Sequence, residues 1–214
     1  MTARKIRVML VDDHAVVRMG FRLLLQGTDD IDVVAEASNG EEACRRYAEV
    51  SPDVVVLDVA MPGIGGLEAL ARMRARDPGA TVLMLSAHED SIHPTRAIQA
   101  GASGYLTKRG APEELIGAIR QVANGRTYVE AELAQQMAVA RATGAGNPLE
   151  VLTAREFQVF IALAKGQSAN RIAETMSLSP STVGTHLYNV KQKLGAANGA
   201  ELALIAIRHG LIET

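Results

Sequence analysis

Ile6-Arg7-Val8-Met9-Leu10-Val11-Asp12-Asp13-His14 brings an apolar, β-branched run to an abrupt end on two acids. Val54-Val55-Val56-Leu57-Asp58 repeats the pattern. Runs this short and this uniformly apolar are what strands look like when a parallel sheet is covered on both faces. Similar runs occupy 31–35 and 81–85, with a shorter one at 104–106. Between them lie stretches of helical periodicity at 15–25, 40–48, 65–74, 95–100 and 112–122. Asn39-Gly40, Met61-Pro62-Gly63, Asp77-Pro78-Gly79 and Ala100-Gly101 punctuate the series. Five βα units predict an α/β domain over residues 1–123, a doubly wound five-stranded parallel sheet of flavodoxin-like form.

Past residue 123 the pattern changes. Asn124-Gly125 reads as a turn, 130–141 as an amphipathic helix, and Ala142-Thr143-Gly144-Ala145-Gly146-Asn147-Pro148 as a flexible stretch poor in core-formers. Residues 124–148 are therefore expected to link the first domain to a small all-α domain over 149–214. There Thr153 with Glu156 three residues on forms a capping box, and further helices are expected at 168–176, 180–194 and 200–209. The chain has 214 residues, 48% of them hydrophobic and 21% charged, and one cysteine, Cys44. That composition suits globular domains. No uninterrupted apolar run approaches the ~18 residues of a spanning helix, the N-terminus lacks a signal-peptide pattern, and a lone cysteine forms no internal disulfide. A cytoplasmic protein away from the membrane is the expectation, with Cys44 a packing residue.

In an open parallel sheet, functional groups collect outside the carboxyl ends of the strands. Asp12 and Asp13 follow the first strand, Asp58 ends the third, Ser86 ends the fourth and Lys108 follows the fifth. A lone aspartate at such a place is most often a helix cap or a turn former. Five suitable residues at four strand ends describe a site. Converging carboxylates repel unless a cation joins them, and a water-accessible oxygen set of this kind suits Mg²⁺. A carboxylate there can attack phosphorus, while a hydroxyl and an ammonium hold the phosphoryl oxygens.

Val11-Asp12-Asp13-His14, Asp58-Val59-Ala60-Met61-Pro62-Gly63, Ser86-Ala87 and Leu106-Thr107-Lys108 together resemble the receiver domain of two-component response regulators, over essentially all of 1–123. The resemblance implies that Asp58 is the phosphoacceptor, charged by a sensor histidine kinase. It implies that Asp13 binds Mg²⁺ directly, Asp12 mainly through water, and the Ala60 carbonyl as a further ligand. Ser86 and Tyr105 match the family's switch pair, in which the hydroxyl turns toward the phosphoryl group and the aromatic ring moves inward. Pro94, early in the fourth helix, departs from the usual pattern.

Residues 168–194 read as helix, turn, helix. Pro180 suits a first helical turn. Val183, Leu187, Val190 and Leu194 make one apolar stripe, while Ser181, Thr182, Gly184, Thr185, Tyr188, Asn189 and Lys191 supply polar groups without an acid. Such a helix can enter a major groove, although the same face would also suit a solvated interaction helix. Leu152-Thr153-Ala154-Arg155-Glu156, Leu178-Ser179-Pro180-Ser181-Thr182-Val183, His186 and Lys193-Leu194-Gly195 resemble the LuxR-type helix-turn-helix of the NarL/FixJ subfamily, and 201–210 looks closest to its GacA/UvrY branch. Gly184 and Gly199 depart from the residues common there and remove potential polar contacts. The final helix is apolar on nearly every side, with Leu202, Leu204, Ile205 and Ile207 too many for one small core, which suggests a partner surface. By resemblance Leu202, Ile205, Ala206 and His209 form a homodimer on double-stranded DNA, promoted by phosphorylation, with RNA polymerase a candidate partner.

Charge alone does not announce a nucleic-acid binder. Residues 1–123 carry 17 acidic and 14 basic side chains, and 150–214 carry five acidic and six basic. Two other readings stay open. A free-standing phosphatase or phosphotransferase could use the acidic cluster, but a haloacid-dehalogenase-like hydrolase wants a carboxylate two residues after the nucleophile, where this chain has Ala60. A regulator acting through protein or RNA contacts would explain Gly184 and the weak basic balance. Catalytic turnover identifies the former; failure to bind an operator after phosphorylation identifies the latter.

Overall fold

The computed structural model describes residues 4–87, 92–110, 112–142 and 148–212. Two compact units emerge, Met1–Ala138 and Val139–Thr214. The first runs β1 (Ile6–Val11), α1 (Ala15–Gln26), β2 (Ile31–Ala37), α2 (Gly40–Val50), β3 (Val54–Asp58), α3 (Gly65–Arg76), β4 (Val82–Ser86), α4 (Ile92–Gln99), β5 (Gly104–Thr107), α5 (Pro112–Ala123) and β6 (Tyr128–Val129), with α6 (Ala131–Ala142) following. The sheet is parallel in the order β2-β1-β3-β4-β5-β6. The doubly wound form is as the apolar runs predict, with six strands instead of five.

The sixth strand comes from the segment expected to be linker. Tyr128 and Val129 pair with Gly104 and Tyr105, and two residues are too few for periodicity to register. The expected flexible stretch at 142–148 falls mostly on 143–147, outside the described residues. α4 starts at Ile92, ahead of the periodicity at 95–100, so Pro94 falls early in the helix as expected. Proline in a first turn lacks only an N–H that no helical carbonyl would accept.

Burial follows the pattern that identified the strands. Val8, Leu10, Val54, Val56, Leu83 and Leu85 pack on one face of the sheet with Leu115, Ala118, Ile119 and Val122 of α5. β3, β4 and β5 are buried along their whole length. The register aligns their carboxyl ends: Val11 opposite Leu57, Asp58 opposite Leu85, Ser86 opposite Thr107. Cys44 is half-buried on α2, its thiol pushed up by burial, as suits a packing residue.

The second unit holds α7 (Ala154–Ala164), α8 (Ala169–Thr175), α9 (Pro180–Leu194) and α10 (Gly199–Arg208), preceded by a short 3-10 turn at Pro148–Val151. Its core joins Val159 to Ile172, Ala173, Met176 and Val183. The capping box is present: Thr153 Oγ1 accepts from the Glu156 N–H and Glu156 Oε2 from the Thr153 N–H, at 3.3 and 2.8 Å. The same buried carboxylate meets Lys193 Nζ at 2.5 Å, which ties the start of α7 to the end of α9. Glu156→Ala removes cap and ion pair together. It is expected to cost about 2 kcal/mol, whereas Lys193→Met, losing a partly exposed partner, should cost under about 1 kcal/mol. Denaturant titration of the second unit's transition distinguishes the two.

Candidate functional sites

The first site is built by strand ends. Asp12 follows β1 with its backbone N–H donated to Ala37 O at 3.2 Å. Asp58 closes β3, and the Val59 N–H donates to Leu85 O at 2.8 Å. The Lys108 N–H donates to Ser86 O at 2.7 Å, just past β5. These bonds carry sheet register one residue beyond the strands and so bring the side chains together. Lys108 Nζ lies 2.7 Å from Asp12 Oδ2 and 2.8 Å from Asp58 Oδ2. Asp12 and Asp58 are 3% and 1% exposed, so both carboxylates have lost most of their water.

Burial is the leading influence on Asp58 and pushes its carboxyl up to about 6, against the pull of the Lys108 ammonium. Burial also works against the Lys108 charge, but the two carboxylates outweigh it and hold the ammonium above its ordinary range. Asp12 Oδ2, Asp13 Oδ1 and Asp58 Oδ2 are buried without a hydrogen bond. Each of these oxygens, the two that Lys108 contacts included, keeps a lone pair that another cation could take. Ligating atoms of Asp12, Asp13, His14 and Asp58 all lie within 4.8 Å of one another. An oxygen-rich set of this kind fits a divalent ion. Ala60, whose carbonyl is the expected backbone ligand, donates its N–H to Asp58 Oδ1 at 3.3 Å and is itself exposed.

Ser86 and Tyr105, the expected switch pair, are both fully buried, so the ring already stands inward. Three supports escaped the sequence reading. Gly66 lies so close to β3 that a Cβ there would meet Asp58 O at 2.0 Å, and only a residue without one allows the approach. Arg18 donates to Asp12 O at 2.6 Å. Glu130, at the start of α6, accepts the Thr107 N–H at 3.0 Å and donates its own N–H to Tyr105 O at 3.3 Å, which fastens this segment beside Lys108 and Tyr105. None carries a sequence signal beyond its residue type.

The second site is the outer face of α9. Ser181, Thr182, Gly184, Thr185 and Tyr188 are exposed, with Asn189 and Lys191 half-buried. Val183 and Val190 are fully buried, Leu187 and Leu194 partly so, which separates the two faces as the spacing predicts. Ser179 caps the helix through the Thr182 N–H at 3.1 Å, and its hydroxyl also meets those of Ser181 and Thr182, each at 2.8 Å. The Thr185 hydroxyl donates to Ser181 O at 3.1 Å. Tyr188, 64% exposed, is thus the face's large outward group. Gly184 has open space where a side chain would project.

α10 corrects one expectation. Leu202 and Ala206, assigned to a partner surface, are completely buried in their own unit. α10 packs on α7, and this core reaches further round the helix than a four-helix domain was credited with. Leu204 remains 52% exposed, and Ile205, Ile207 and His209 are half-buried.

Comparison with known proteins accords with this arrangement. Residues 8–120 match the response regulator receiver domain and 150–206 match the bacterial regulatory proteins of the luxR family. The response regulator UvrY of Escherichia coli K12 is 42% identical over 208 residues, 96% of this chain and 95% of that protein. The response regulator GacA of Pseudomonas viridiflava is 40% identical over 210 residues, 97% and 98% of the two chains. The fold is shared with RcsB of Salmonella enterica, solved on promoter rprA with phosphomimetic BeF₃⁻, at TM-score 0.69 and 21% identity over 94% of this chain and 98% of that one. The chain belongs to the two-component response regulators with a receiver domain and a LuxR-type DNA-binding domain. It is a DNA-binding transcription regulator of that family, and across nearly its whole length it is similar to UvrY and GacA.

The raised Asp58 carboxyl makes a prediction for metal-free protein. An unfolded aspartate ionises near pH 4, the folded one near 6. Folding therefore takes up a proton in this window, and the associated stability, full below about pH 4, is lost as pH rises through about 6. In EDTA, Asp58→Asn should abolish that falling limb and be more stable than wild type at pH 7.5 by about 2 kcal/mol. Identical pH profiles of thermal unfolding would show that Asp58 bears no such penalty.

Proposed function

We propose that Asp58 is the phosphoacceptor of a sensor histidine kinase and that its phosphorylation controls binding of α9 to double-stranded DNA. The observation that carries this is the meeting of buried Asp12 and Asp58 on one ammonium, with lone pairs left over. An Asp58 carboxylate oxygen attacks the phosphorus of a phosphohistidine, the P–N bond breaks, and the imidazole leaves with the electron pair. Lys108 then pairs with a phosphoryl oxygen, and the Ser86 hydroxyl lies on the neighbouring strand to meet another. Asp13 and Asp58, Asp12 through water, and the Ala60 carbonyl would hold Mg²⁺. A bound Mg²⁺ would supply charge neutralisation at the phosphoryl oxygens. Ser86 and Tyr105 form the switch, acting by shifting a pre-existing equilibrium.

The domains of this reading are the receiver at 1–123, the linker at 124–148 and the DNA-binding unit at 149–214. The protein acts in the cytoplasm, as a phosphoryl acceptor and not as a turning-over enzyme. Homodimerisation would use what α10 leaves outward, chiefly Ile205 and His209 with exposed Leu204, and RNA polymerase is a further partner. RcsB, in the structure cited above, occupies a promoter in the presence of a phosphomimetic. The open space over Gly184 favours a second reading, in which the helical unit meets protein or RNA. Operator binding separates the two.

A small-molecule phosphodonor with Mg²⁺ should label wild type and leave Asp58→Asn essentially unlabelled, and labelling should raise affinity for operator duplex. Equal labelling of both removes Asp58 from this role. On α9, Lys191→Ala should weaken binding to operator and scrambled duplex alike, with a salt slope shallower by about one. Tyr188→Ala should change preference among sites, by about 1–3 kcal/mol at one position. If both variants bind as wild type does, α9 does not face DNA.

A further inference from the structure

His14 stands at the acidic site without a part in the chemistry described so far. It is the N-cap residue of α1, and its backbone N–H donates to Asp12 Oδ1 at 2.8 Å, which fixes the residue to the site's rim. Its ring turns the same way. Nδ1 lies 2.9 Å from Asp13 Oδ1 and 3.3 Å from Asp12 Oδ1. Yet Asp13 Oδ1 is buried and accepts no hydrogen bond, so the ring nitrogen beside it is not aimed along a donor line.

Two lone-pair atoms ~3 Å apart with no hydrogen directed between them are spaced like neighbouring ligands on one ion. Ligands ~2.1 Å from a metal and at right angles lie ~3.0 Å apart. Lys108 contacts Asp12 and Asp58 through their Oδ2 atoms. Asp12 Oδ1 and Asp13 Oδ1 therefore share the other half of the site with Nδ1. A second feature points to a ligand: Asp12 Oδ2 and Asp58 Oδ2, on almost fully buried carboxylates, lack a hydrogen bond, and ligating atoms of Asp12, Asp13, His14 and Asp58 all lie within 4.8 Å of one another.

We propose that His14 Nδ1 is a further metal ligand, giving this receiver site affinity for nitrogen-preferring divalent cations above what its oxygens alone confer. The inference rests on the proposed metal role of Asp12, Asp13 and Asp58. An all-oxygen set suits Mg²⁺, which keeps its waters, whereas an imidazole raises affinity along the series from Mn²⁺ through Co²⁺ and Ni²⁺ to Cu²⁺ and for Zn²⁺. The side chain is 66% exposed. The ring can therefore swing onto an ion or away from it at little packing cost, so Mg²⁺ binding need not engage it.

The test uses full-length protein and calorimetric titration with Co²⁺ alone and with Mg²⁺ alone, the visible Co²⁺ spectrum reporting nitrogen ligation. Competition by Mg²⁺ assigns both ions to one site. His14→Ala should lose Co²⁺ affinity ~10-fold or more and change the Co²⁺ spectrum, while Mg²⁺ affinity moves less than about threefold. His14→Phe, which keeps ring bulk but no nitrogen, should behave like the alanine variant. Unchanged Co²⁺ binding overturns the proposal. A parallel fall for both ions also overturns it, since His14 would then merely position Asp12 and Asp13. Wild type that binds neither ion sinks the metal reading of the whole site, whereas Mg²⁺ binding without a His14 effect sinks this inference alone.

Discussion

Lys108 lies between two buried carboxylates, and the arrangement of the receiver turns on that contact. Like charges within 4.8 Å of one another repel by about 3 kcal/mol even at the effective dielectric of a protein surface. Desolvation adds to the cost, as the raised Asp58 carboxyl records. A single ammonium offsets part of this. It is held where it is by the Lys108 N–H on Ser86 O, and so by the parallel register of β4 and β5. The sheet is in this sense the scaffold of an unstable charge arrangement. What remains uncompensated, oxygens buried without a hydrogen bond, is what, in the proposed reading, would take a cation and a dianionic phosphoryl group. The same imbalance that lowers the stability of the resting protein is what gives an added charge a large effect on it.

The supports of that edge differ in how far the chain's letters announce them. The strands were legible because burial on both faces writes itself as continuous apolar runs, and the strand-end acids because they interrupt those runs. The site's principal members could be named for that reason alone. Gly66 could not, since its role depends on how near α3 passes to the backbone of Asp58, and that distance has no local signature. Glu130 was hidden for a similar reason: β6 is two residues long, and the bond from the Thr107 N–H to its carboxylate spans 23 residues of chain. On α10 the apolar letters were read correctly but counted against too small a core. Leu202 and Ala206 are buried because α7 takes one side of the helix, so hydrophobic excess alone overstated the surface left for a partner.

The second unit shows the limit of charge counting. Six basic residues between 150 and 214 are not six cations free for phosphates. Lys193, near the end of α9, is held by buried Glu156, and its contribution goes to fixing the helix against α7. Lys191 is the helix's other lysine. A domain presenting so little positive charge is expected to release few counterions on binding, so that non-specific affinity for DNA would be low and weakly salt-dependent. On the proposed reading, sequence-specific contacts from the Tyr188 face would supply most of the discrimination, each worth only about 1–3 kcal/mol. The proposed homodimer would answer this by tethering two domains at adjoining half-sites, where the second contact forms at high effective concentration. A regulator assembled this way gains control where its affinity is weakest. In the proposed reading a phosphoryl group that altered the pairing of two chains would act on the product of two modest affinities, and a change of about 1–2 kcal/mol in pairing would become a roughly 5- to 30-fold change in occupancy.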